Sequence, residues 1–325
     1  MTAATKTRRF YLTPRDVEML ASINIARYIT PQALEWLHFP TWRDRWAAAQ
    51  AAGTPEAYRP APHLYRRLSH LVDHEIVYRL RRPIERSRDT FGRAPDIYML
   101  AALGARLLAE NHEGTFIEDC YYTRKRERSF QNVEHGAMIG QVYAAIRSRF
   151  EAVQGLELTD WQGEHLTAKD YDTVQACLRR SGGTFLWKKA GIQPDATCVF
   201  HGFDKGERIS GRVFIEVDRG TRPTQTWADK IAAYDAYMGS GALMKRYGVN
   251  DFTLLVITTT EAQRMTLMQA TAGVLGKGSK RYLFAIEGDV HPDRLGASWR
   301  YIDTVKKTSS LLRPIITTGQ HTVFV

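Results

Sequence analysis

The chain has 325 residues, 44% of them hydrophobic and 25% charged, and a formal net charge of +10. That is the composition of a globular protein with room for two domains, and the basic excess favours a polyanionic partner, because neutralising phosphates releases condensed counterions. No apolar run reaches the ~20 residues needed to span a bilayer. The opening MTAATKTRRF has no apolar segment after its basic residues, and Cys120, Cys177 and Cys198 show no C-x-x-C spacing. A membrane span, a secretory signal, a disulfide framework and a cysteine zinc site are therefore not expected, and a cytoplasmic location is.

Thr13-Pro14 supplies an N-cap and an N1 proline for a first helix, with Val17, Leu20, Ala21 and Ile25 at helical spacing. Thr30-Pro31 repeats the device for a short second helix. The Ala-rich, Pro-containing stretch from Trp42 to Pro62 is compatible with part helix, but its sequence sets no bounds for one. A third helix is expected over His63–His74, burying Leu64, Leu68 and Leu71. Strands over 76–80 and Ile97–Leu100 flank a polar, arginine-rich stretch, and a helix over Ala102–Asn111 follows. Three helices, a two-stranded wing and a further helix make a winged helix-turn-helix, expected over residues 10–111 and expected to bind double-stranded DNA. The candidate DNA-binding residues are His63, Tyr65, Arg66, Arg67 and His70 on the last helix before the wing, and Arg79, Arg81, Arg82, Arg86, Arg88 and Arg93 on the wing. A winged helix used for protein contacts is the alternative.

Residues 112–129 read as a polar, partly basic linker, and 130–325 as a second domain. It opens with a helix over 130–152. Strands are expected over 156–161, 195–200 and 209–218, a short helix over Asp170–Leu178, and helices over 225–238 and Glu261–Leu275. Further strands are expected over Phe252–Thr258, 282–286 and Thr322–Val325. If the hairpin folds about residues 205–206, Asp195 comes opposite Glu216, with Cβ atoms ~5 Å apart. Glu216 and Asp218 share one face of a strand with Phe214, while Val213, Ile215 and Val217 point the other way. Three close carboxylates repel one another, and a hard cation, Mg²⁺ or Mn²⁺, relieves the conflict; Asp195, Glu216 and Asp218 are the candidate ligands. Lys230, in line with Trp227 and Tyr234 on the following helix, is the candidate catalytic lysine beside them. Glu134 and His135 on the first helix of this domain are weaker candidates. The chain has no P-loop, G-x-S-x-G or H-E-x-x-H motif.

Pro194-Asp195, Ile215-Glu216-Val217-Asp218-Arg219-Gly220, Lys230 and Tyr234 resemble the replication-relaxation family of bacterial plasmids and integrative elements. Tyr65-Arg66-Arg67-Leu68 through Tyr98-Met99-Leu100 and Gly104 resemble that family's winged helix. The second domain also resembles the PD-(D/E)XK restriction-endonuclease-like fold, with an α-β-β-β-α-β order. It departs from that motif in placing Asp218 where the lysine two residues after the acid normally stands. The resemblance implies a DNA-binding protein of plasmid replication, mobilisation or transfer, with metal-dependent phosphodiester hydrolysis in the second domain. Replication or mobilisation proteins are the further partners expected, and a homodimer is possible. The alternatives are a non-catalytic initiator or relaxosome accessory on a degenerate nuclease fold, and a winged-helix transcription regulator.

Overall fold

The computed structural model describes residues 10–54, 58–81, 95–120, 130–179, 183–204, 207–221, 223–276, 279–295 and 299–302. The chain is mixed α/β and divides into two compact units, 1–141 and 142–325. None of its helices, among the described residues, is long and apolar enough to cross a membrane.

The first unit opens with α1 (Pro14–Ala26), α2 (Pro31–His38), α3 (Trp42–Ala51) and α4 (Pro62–Asp73). Thr13 caps α1 in a capping box with Asp16, and the Thr30 side chain accepts from the Ala33 N–H at the start of α2. Both start where the Thr-Pro pairs predict, since the hydroxyl satisfies an orphan N–H and proline lacks one. Among the described residues four helices precede the first strand, one more than the three with clear sequence signals. The additional one, α3, buries only Trp42 of its own residues. It is placed through a buried carboxylate: Glu35 on α2, with no exposed surface, bonds the Arg45 guanidinium, the Tyr58 hydroxyl and, at 2.7 Å, the Ala61 N–H that leads into α4.

Then come β1 (Val77–Leu80), antiparallel to β2 (Ile97–Leu100), and α5 (Ala102–Asn111). Ile29 exchanges two backbone hydrogen bonds with Tyr98 on β2, at 2.8 and 3.1 Å. Met19, Leu20 and Ile23 from α1, Leu64, Leu68 and Leu71 from α4, Ile97 from β2 and Leu108 from α5 are all fully buried.

Helix α6 (Phe130–Glu151) spans the division between the units. Its first half packs on Tyr28, and two glycines permit the approach. A Cβ on Gly136 would lie 2.3 Å from the Tyr28 ring, and one on Gly140 2.1 Å from the Tyr28 carbonyl oxygen.

The second unit is built on a six-stranded mixed sheet of order β10-β9-β8-β7-β6-β3. Its strands are β3 (Glu157–Gly163), β6 (Ala196–Asp204), β7 (Glu207–Asp218), β8 (Phe252–Thr258), β9 (Ser279–Ile286) and β10 (Arg300–Ile302). β3, β6 and β7 pair antiparallel, whereas β7, β8 and β9 pair parallel. The parallel pairs need crossovers, and α8 (Thr224–Gly239) with the short α9 (Ala242–Tyr247), and then α10 (Glu261–Leu275), supply them. Trp227, Ile231, Tyr234 and Tyr237 of α8 pack with Phe214, Leu254, Val256 and Phe284 of the sheet. On the opposite face, Phe150 from the second half of α6 meets Phe200 at 4.7 Å.

One secondary-structure expectation fails among the described residues of this unit. Residues 172–179 form a strand, β4 (Asp172–Arg179), not a helix, after a single helical turn, α7 (Glu164–Thr167). β4 pairs antiparallel with β5 (Phe185–Ile192) in a separate two-stranded ribbon. Val174, Ala176 and Leu178 alternate inward and are buried with α8 residues, so period-2 packing overrides the helix preference of Ala and Leu. The strand expected at Thr322–Val325 lies outside the described residues.

The α6 contact generates a stability test. Gly140→Ala is expected to cost about 2–3 kcal/mol by thermal or urea unfolding, because the Tyr28 backbone cannot yield as a side chain can. Gly239→Ala, where a Cβ meets nothing within 4 Å, is the control and should be neutral or slightly stabilising.

Candidate functional site

The β6–β7 register is the one the sequence predicts. Asp204 pairs with Glu207 and Ala196 with Ile215, so Asp195 enters β6 beside Glu216. The Asp195 Oδ2 accepts the Val217 N–H at 2.7 Å, which ties the start of one strand to the end of the next. Glu216 is 2% exposed and Asp195 8%. Two acids thus lie close together at the end of β7, on the face covered by α8.

Lys230 and Tyr234 lie one turn apart on α8, and both reach Glu216. The Lys230 ammonium pairs with Oε2, and the Tyr234 hydroxyl donates to Oε1 at 2.5 Å. Two flanking aromatics fix the helix. Trp227 Nε1 donates to the Thr271 hydroxyl at 2.9 Å, anchoring α8 to α10. The Tyr237 hydroxyl donates to Asp172 Oδ2, anchoring α8 to β4. Tyr237 and its contact with Asp172 are not among the residues expected from the sequence; the 227, 230, 234, 237 spacing on one helix face is the signal for them.

Burial pushes the Glu216 carboxyl up to about 7, against the pull of the Lys230 charge and with a push from Asp195. Burial, reinforced by Glu216, holds the Tyr234 phenol well above its ordinary range. Tyr234 therefore remains a hydrogen-bond donor at any ordinary pH.

Asp218 does not join this cluster. It is the last residue of β7, and its Oδ1 accepts the Gly220 N–H at 2.6 Å and the Gln263 amide at 3.2 Å. A short carboxylate next to a turn bonds its own backbone two residues on, and here that local bond wins. Among the described residues, no group of three or more His, Cys, Asp or Glu side chains is arranged to hold a metal ion. Both Glu216 oxygens are engaged by side chains and one Asp195 oxygen by backbone. The three-carboxylate ligand set for Mg²⁺ or Mn²⁺ thus does not fit this arrangement. Glu134 and His135 lie in the first unit, on the part of α6 before the division, and Glu134 is buried.

In the first unit, α4 turns Leu64, Leu68 and Leu71 inward and His63, Tyr65, Arg66 and His70 outward. Arg67 does not join the outward set. It pairs with Asp16 on α1, through Nε at 2.6 Å and a second bond from Nη2, and donates to the Tyr11 carbonyl at 2.8 Å. Burial raises the Asp16 carboxyl, but hydrogen bonds from Arg67 and Thr13 outweigh it and hold the group below its ordinary value. Arg67 thus joins α4 to α1. On β1, Arg79 lies 3.9 Å from Asp96, and Arg81, just after the strand, is exposed. Arg82, Arg86, Arg88 and Arg93 lie outside the described residues.

These features define an α/β protein with an outward basic and aromatic helix face in one unit and a buried acid–lysine–tyrosine cluster in the other. The family model described as replication-relaxation matches residues 20–253. The match covers well over half of the chain, and the chain belongs to the replication-relaxation family. Neither the curated proteins nor the solved structures returned a significant match. The family points to a role in the replication or relaxation of plasmids or other mobile elements.

The raised Glu216 carboxyl makes stability depend on pH. The unfolded chain ionises this group near 4.5, whereas the folded chain keeps the proton to about 7. Between those values the folded state binds more protons, so stability falls as pH rises. Relative to Glu216→Gln, the wild type should lose on the order of 3 kcal/mol over that window, measured by urea unfolding at both ends. A difference that does not change with pH would refute the shift.

Proposed function

We propose that this chain is a DNA-binding protein of plasmid or mobile-element replication and relaxation, and that its second unit has a nuclease-like framework without nuclease activity. In this reading residues 10–111 form a winged helix-turn-helix that docks on duplex DNA, with α4 in the major groove and the β1–β2 wing against the backbone. The observation that carries it is the outward face of α4. His63, Tyr65, Arg66 and His70 project from it, and it has no carboxylate before Asp73. Arginine and histidine donors suit phosphates and guanine edges, and a half-exposed tyrosine suits sugar and phosphate contacts.

The non-catalytic reading of the second unit rests on the state of Glu216. Lys230 and Tyr234 satisfy its carboxylate, as they would a structural buried acid. Asp218, in the position the PD-(D/E)XK motif gives to lysine, bonds its own turn.

A metal-dependent endonuclease or nickase is the second reading. The meeting of Asp195, Glu216 and Lys230 on adjacent strands and the following helix favours it.

Two experiments separate these readings. Arg66→Ala is expected to weaken duplex binding roughly tenfold and to lower the slope of log affinity against log salt by about 1, whereas Arg67→Ala acts mainly through stability. Unchanged affinity and slope for Arg66→Ala would remove α4 from the interface. Supercoiled plasmid incubated with the full chain and Mg²⁺ or Mn²⁺ is expected to remain supercoiled. Nicking that Asp195→Ala and Lys230→Met both abolish would overturn the non-catalytic reading.

A further inference from the structure

We propose that the outer face of the β4–β5 ribbon binds single-stranded DNA; the proposal rests on the DNA-binding reading above and adds a second nucleic-acid surface to it. The pairing register places Thr173, Gln175, Cys177 and Arg179 of β4 on one face with Phe185, Trp187, Lys189 and Gly191 of β5. The opposite face carries Val174, Ala176 and Leu178 and is buried on α8. The outer face is open: Trp187 is 69% exposed and Phe185 68%. Tyr171, 43% exposed, lies against Gly191 and extends the aromatic row.

Large aromatic rings in water are costly on a sheet face unless something covers them. Here the surrounding charges name the occupant. Arg179, Lys188 and Lys189 are exposed on the same ribbon, and the only acid among its described residues, Asp172, is bonded to Tyr237 and paired with Arg246. A second copy of the chain meeting this face would set its lysines against like charges. A strip of aromatic rings flanked by cations suits unpaired bases and their phosphates. In a duplex the base faces are already stacked on one another, so the rings select single strands. Trp187 and Phe185 stack on bases, while Arg179 and Lys189 meet phosphates. Replication and relaxation both expose such strands.

The test is fluorescence anisotropy of a labelled oligothymidylate and a labelled blunt duplex with the full chain at low salt. Trp187→Ala is expected to weaken oligothymidylate binding about tenfold and Trp187→Tyr to restore most of it, with duplex affinity unchanged. Trp187 is exposed, so these variants should unfold at the wild-type temperature. Equal oligothymidylate affinity for wild type and Trp187→Ala overturns the proposal. So does a Trp187-dependent affinity for phosphatidylglycerol vesicles in the absence of oligothymidylate binding. Either result leaves the α4 reading standing, since that reading is judged by Arg66→Ala on duplex.

Discussion

The second unit is organised around the burial of the Glu216 carboxylate. Glu216 lies near the end of β7, a strand with neighbours on both sides, where water cannot solvate its charge. A lone buried carboxylate is costly, and the surrounding structure supplies what water would. The hairpin register brings Asp195 beside it. Helix α8 brings Lys230 and Tyr234, and α8 is held in turn by Trp227 on α10 and Tyr237 on β4. The arrangement that satisfies the acid also occupies its oxygens. On that ground the role proposed for this cluster is structural.

The first unit follows the same rule with different partners. Glu35 and Asp16 are buried acids, and each fixes a helix junction: Glu35 joins α2 to α3 and to the entrance of α4, and Asp16 joins α1 to α4 through Arg67. With α4 gripped at its start and along one side, the opposite side is left to solvent, and that side carries Tyr65 and Arg66. One arginine of the adjacent pair is therefore consumed by the fold, and its neighbour remains available to a ligand.

Much of this was legible in the sequence where signals are local. The Thr-Pro pairs mark the starts of α1 and α2, and the apolar run at Phe252–Thr258 and the helical pattern at Glu261–Leu275 give β8 and α10 at their observed bounds. The β6–β7 register follows from alternation on either side of residues 205–206, so the approach of Asp195 to Glu216 could be read in advance. What depended on distant partners could not. Helix α3 buries almost nothing of its own and is placed by Glu35 and Tyr58. Strand β5 is exposed along most of its length and so shows no in–out pattern, which hid the ribbon and led to a helix being expected in place of β4. Asp218 has the right parity to join Glu216, but a strand-end residue answers to its turn as much as to its face. The pairing of Arg67 with Asp16, 51 positions away, is equally invisible to spacing.

The central claim is that the Glu216 centre is closed by its own side chains. Electron paramagnetic resonance of Mn²⁺ titrated into the full chain near neutral pH tests it most directly. The account predicts no saturable loss of the free-ion signal in the wild type or in Asp195→Asn. A stoichiometric site in the wild type that Asp195→Asn or Glu216→Gln removes would contradict it.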